Sequence, residues 1–139
     1  MVVATLRERE LRAPWAVLSE RGVRVSDRDR PEPDVLVIPC DHRSLDPRER
    51  DVRNVIVAFE VLSPPTEARG LRWKRTAYIS LSSLTHYIVS AQDVVDVIVL
   101  ARENGFAEQR IRSRDKAIEL RSLGISLPGA EIYRDAGLG

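Results

Sequence analysis

The chain has 139 residues, of which 43% are hydrophobic and 31% charged, and its formal net charge is +1. Such a length and composition predict one folded domain over residues 1–139, not a disordered chain, and near-neutrality excludes long-range steering towards a polyanion. No apolar stretch approaches the roughly 20 residues of a membrane span, no secretory leader precedes the first pattern, and the single Cys40 excludes an internal disulfide, so a cytoplasmic protein is expected.

In chain order, a helical pattern around Leu6-Arg7-Glu8-Arg9-Glu10-Leu11-Arg12 ends by Pro14, with Glu8 and Glu10 read as solvated helix-surface partners. Trp15 to Leu18 and Val23 to Val25 read as short strands around a Gly22 turn. Val35-Leu36-Val37-Ile38 follows Pro31-Glu32-Pro33 as an apolar strand, and a polar loop from Asp41 to Asn54 leads to a second, Val55 to Leu62. Ser63-Pro64-Pro65 ends that strand. Leu71, Trp73, Lys74, Ala77, Tyr78 and Leu81 then recur at helical spacing, which sets Lys74 at the edge of a buried face. His86 to Val89 is a strand, Gln92-Asp93 a turn, and Val94 to Leu100 its hairpin partner, an edge able to pair across the two-fold of a homodimer. Asn104-Gly105 is the strongest hairpin signal and leads into Phe106 to Ile111. The whole predicts an α/β (α+β) fold, a mixed β-sheet flanked by helices.

Glu60 is the anomaly in this pattern. An ionised carboxylate inside Val55 to Leu62 is costly unless something cationic meets it, and a metal ion is the obvious partner. Asp34 opens the neighbouring apolar strand, so two hard oxygen ligands can reach one end of a sheet. That set suits magnesium, which takes one or two carboxylates and keeps positions for water and phosphate. Lys74 stands out differently. Among 22 Lys plus Arg, lysine occurs only at Lys74 and Lys116. A compact ammonium can point at a phosphate oxygen or an attacking water, whereas arginine presents a planar fork.

These residues carry a resemblance. Phe59-Glu60-Val61-Leu62-Ser63-Pro64-Pro65-Thr66, then Leu71-Arg72-Trp73-Lys74-Arg75 with Tyr78, then Ser83-Leu84-Thr85-His86-Tyr87, resemble the Uma-type restriction endonuclease domain family of the PD-(D/E)XK nuclease superfamily. Glu32-Pro33-Asp34-Val35-Leu36-Val37 is similar to its "PD" strand, and Leu123 to Pro128 with Glu131-Ile132-Tyr133 to its closing segment. The resemblance implies a restriction endonuclease-like core and Mg- or Mn-dependent hydrolysis of DNA phosphodiester bonds. It makes Asp34, Glu60 and Lys74 catalytic, and Asp34, Glu60 and the Val61 carbonyl ligands of a divalent metal. The superfamily lysine position falls on Leu62, so Lys74 on the following helix supplies that charge.

Two departures favour an alternative, a catalytically impaired nuclease-fold module that binds nucleic acid or a protein partner. Gly70 stands where relatives commonly carry an acidic residue, and a segment that relatives place before the first helix is expected to be shortened here. DNA contacts are expected from Arg43, Arg72 and Arg75, with Arg48, Arg50, Arg53, Arg69, Arg110, Arg112 and Arg114 as further local charge; each group also has acidic neighbours that would make it ordinary solvated surface. Cys40-Asp41-His42 holds the residue types of a cysteine hydrolase, but adjacency is not triad geometry. His86 reads as structural rather than ligating, and Trp73 and Tyr78 as core rather than base-stacking platforms.

Overall fold

The computed structural model describes residues 15–19, 22–23, 25, 31, 33–39, 51–52, 54–62, 67–92 and 94–133. The helical pattern before Pro14 and nearly all of the polar loop after Cys40 lie outside them. A six-stranded mixed sheet carries the fold, in the order β1 (Trp15–Ser19), β3 (Val35–Pro39), β5 (Val57–Leu62), β6 (His86–Ala91), β7 (Val97–Ala101), β8 (Glu108–Ile111). Within this sheet only β5 and β6 run parallel; its other described neighbours are antiparallel. A parallel pair needs a crossover, and helix α1 (Glu67–Ile79) supplies it. Two small sheets complete the description: β2 (Gly22–Val23) beside β4 (Asp51–Val52), and the hairpin β9 (Ala117–Leu120) with β10 (Ile125–Pro128), followed by the short helix α2 (Gly129–Ile132).

Strands β3, β5, β6 and β7 are near-continuous apolar runs because both of their faces are covered. Strand alternation sorts their side chains into two cores. Val35, Val37, Val57, Phe59, Ile88, Val97 and Val99 pack with Trp15 and the β9–β10 hairpin on one face. Leu36, Ile38, Ala58, Tyr87, Val89, Ile98 and Leu100 pack with Tyr78 from α1 and with Leu81 and Leu84 on the other. Glu60 shares the parity of Ala58 and therefore faces the helix layer.

Several expectations are corrected. Trp15–Ser19 and Gly22–Val23 do not pair with each other; the first joins β3 and the second β4. Val94 and Val95 precede β7 because the Ala91 N–H donates to the Asp96 carbonyl at 2.9 Å, closing a loop over them. Strand β7 lies between β6 and β8, so the Val94 to Leu100 segment is no free edge for a two-fold. Residues Arg102–Asn104 form a 3-10 turn, after which Gly105 and Phe106 take φ values of 62° and 59°, and β8 starts only at Glu108. Trp73 is 46% exposed, although Ala77 and Tyr78 on the same helix are buried.

Candidate active site

Strand β5 delivers Glu60 to the layer between sheet and helix, where the side chain is only 4% exposed. One oxygen, Oε2, accepts a hydrogen bond from the Tyr87 hydroxyl at 2.7 Å. Tyr87 reaches it because β5 and β6 are in parallel register, Ala58 beside Tyr87 and Glu60 beside Val89, so all four side chains share a face. The other oxygen, Oε1, is fully buried and receives no directed hydrogen bond; its partner is the Lys74 ammonium, with Nζ at 3.0 Å. Taking a carboxylate out of water costs several kcal/mol in order of magnitude, and the adjacent cation is what offsets it.

Lys74 is brought there by helical spacing. It precedes Tyr78 by four residues and so lies on the same stripe of α1, with Tyr78 fully buried and its ring 4.8 Å from that of Tyr87. The Lys74 side chain is 31% exposed, so the ion pair with Glu60 is only partly shielded from water. Burial first, then the charge and hydrogen bond of Glu60, push the Tyr87 hydroxyl far above its ordinary value, so Tyr87 stays a proton donor at all ordinary pH.

Asp34 meets the same strand end by another route. The β3–β5 register pairs Val35 with Phe59, and one more step sets Asp34 opposite Glu60 on the face that α1 covers. By Val61 the partner strand has ended, and the exposed Asp34 carboxylate takes over its role: Oδ2 accepts the Val61 N–H at 2.7 Å. The Val61 carbonyl points to that same side, since the N–H and C=O of one strand residue share an edge. Asp34, Glu60 and the Val61 main chain thus lie at the same end of β5. Among the described residues no three His, Cys, Asp or Glu side chains cluster as a metal centre.

Of the arginines expected to contact DNA, Arg75 is half-buried and pairs with Glu108 on β8 at 3.2 Å. Arg43 and the side chain of Arg72 lie outside the described residues, as do Cys40, Asp41 and His42. Arg110 and Arg112 pair with Asp96 at 2.9 and 3.7 Å. His86 is buried with Nδ1 2.9 Å from Thr85 Oγ1, and burial holds its pKa down against a smaller raising effect of Glu103. Tyr87 is the residue that the sequence reading placed in a motif without giving it a task; its even spacing from Val89 on an apolar strand was the available signal.

The sheet order, with its single parallel pair bridged by a helix that faces a buried carboxylate, defines a restriction endonuclease-like α+β fold. Residues 2–130 match the Uma2 family, described as "Putative restriction endonuclease", and the chain belongs to that family. Among solved structures it is similar to a putative nuclease of the DUF820 group from Anabaena variabilis, with a TM-score of 0.71 and 14% identity over 95% of this chain and 75% of that one. No curated protein matches. No described helix is long and apolar enough to cross a membrane.

Proposed function

We propose that this chain is a metal-dependent endonuclease of the cytoplasm that hydrolyses DNA phosphodiester bonds, with Asp34, Glu60 and Lys74 as its catalytic residues. The observation that carries the reading is the Glu60 carboxylate, buried in the layer between sheet and helix, ion-paired with Lys74 at 3.0 Å and placed opposite Asp34 at the same strand end. A charge kept inside an apolar layer is costly, and such placements cluster at functional sites. Asp34, Glu60 and the Val61 carbonyl are hard oxygen donors and fit Mg or Mn, with sites left for water and phosphate. A divalent cation held there would neutralise charge on the scissile phosphate and make a bound water more acidic.

The chain's own residues divide the remaining work. Lys74 is the movable charge: once Glu60 no longer needs neutralising, its ammonium is available to orient the attacking water or to offset charge developing on phosphorus. Asp34, opposite Glu60 in the register, is held at this strand end by the hydrogen bond it accepts from the Val61 N–H. Mg- or Mn-dependent nicking of supercoiled plasmid is expected. It should fall by about 10²-fold or more in Asp34→Ala and in Lys74→Ala, the scale of losing one transition-state group. Nicking that survives both substitutions rejects the assignment.

A second reading is favoured by the saturation of Glu60, whose two oxygens are already met by Tyr87 and Lys74. In that reading the pair is a structural clasp and the chain a binding module for nucleic acid or protein. Calorimetric titration separates the two: magnesium binding that vanishes in Glu60→Gln supports the enzyme, and no binding at millimolar magnesium supports the module.

A further inference from the structure

The hydroxyl of Tyr87 occupies one oxygen of Glu60 from the buried side, whereas Lys74 approaches the other from the side open to solvent. The two oxygens are therefore unlike. Oε2 is tied to strand β6 by a 2.7 Å hydrogen bond from a ring held against Tyr78, so the carboxylate cannot turn freely about its last bond. Oε1 has no such hydrogen bond; it is buried against the Lys74 ammonium at 3.0 Å, so an ion reaches it only by displacing that ammonium. A carboxylate restrained in this way offers one oxygen to an ion.

We infer that Tyr87 is a positioning residue that makes Glu60 a one-oxygen ligand and thereby biases the site towards small six-coordinate cations and against calcium. The inference rests on the metal-dependent reading above. Magnesium and manganese accept an octahedral shell of single oxygens, whereas calcium prefers a larger shell that a carboxylate commonly fills with both of its oxygens. Outer residues that hold a ligand in place typically change metal affinity by about 10- to 100-fold. Tyr87→Phe keeps the ring and its packing and removes only the tie, which frees Glu60 to turn and to use both oxygens.

The test is calorimetric titration of the full chain with Mn²⁺ and with Ca²⁺, in the wild type, in Tyr87→Phe and in Glu60→Gln. The wild type is expected to prefer Mn²⁺ by about tenfold or more, and Tyr87→Phe to lose most of that preference by gaining affinity for Ca²⁺. An unchanged Mn²⁺ to Ca²⁺ ratio in Tyr87→Phe, with binding abolished in Glu60→Gln, overturns the role of Tyr87 and leaves the metal reading intact. Binding that is indifferent to Glu60→Gln overturns both. Should Tyr87→Phe fail to fold, a crystal of the wild type with Mn²⁺ decides: Glu60 bound through Oε1 alone supports the inference, and Glu60 bound through both oxygens overturns it.

Discussion

Asp34 Oδ2 accepts the Val61 N–H at 2.7 Å, which makes a side chain the last rung of the β3–β5 ladder. The carboxylate therefore has a structural task separable from any charge it lends to chemistry. Asp34→Asn keeps an acceptor and should leave thermal stability nearly unchanged, whereas Asp34→Ala should cost about 1 kcal/mol, the ordinary value of one net hydrogen bond. Denaturant melts check this. If nicking is lost equally in both variants while only Asp34→Ala is destabilised, the charge and the rung are distinct contributions.

The pairing of Glu60 with Lys74 predicts non-additive stability. Lys74→Met strands a buried carboxylate with only the Tyr87 hydroxyl, a loss of about 1–3 kcal/mol, below the range for fully buried pairs because the ammonium is partly in water. In a Glu60→Gln background the same lysine substitution should cost less by at least about 0.5 kcal/mol. Additive losses would show that the two side chains do not interact in solution.

His86 gives a pH dependence whose direction is fixed by burial. Its pKa in the fold lies below the ordinary 6.5, so just below that pH the unfolded chain binds a proton that the folded chain refuses. Stability should be flat above about pH 6.5 and fall as the pH drops from there towards the lowered folded value. Urea unfolding from pH 7.5 to 5 measures the slope, and His86→Gln should flatten it. A slope unaffected by that substitution assigns the acid sensitivity elsewhere.

The two tryptophans differ enough to be told apart by quenching. Trp15 is buried with its indole N–H donated to the Leu123 carbonyl at 3.1 Å, and Trp73 is open to solvent on α1. Iodide should quench only part of the emission, and Trp73→Phe should remove the accessible part. Complete quenching in Trp73→Phe would mean that the Trp15 side of the sheet opens.

Much of this architecture was legible because burial leaves a simple trace. The strands around Val35, Val57 and His86 are apolar on both faces, and such runs cannot be anything but covered sheet or buried helix. Glu60 could be read for the complementary reason: a charge within such a run requires a cationic partner, expected there to be a metal ion, whereas the partner seen is Lys74 on the next helix. What failed were ends and edges. Val94 and Val95 look like strand but form a loop, because hydrophobicity does not report where a hydrogen-bonded turn closes. Trp73 shares a stripe with Ala77, yet helical spacing says nothing about where along the helix the cover ends. The order of strands is a long-range property, and nothing local in Val97 to Leu100 distinguishes an inner strand from an outer one. Tyr87 was invisible as a partner of Glu60 until the register of β5 on β6 was known.

Position 61 contributes to the candidate site through its main chain alone, since the N–H is taken by Asp34 and the side chain is directed away from Glu60 and 37% exposed. The main-chain bond at this strand end therefore places almost no demand on which amino acid stands there. Proline is the exception, because it would erase the donor. A residue can thus sit at the centre of a site and leave no mark in the alphabet of the sequence.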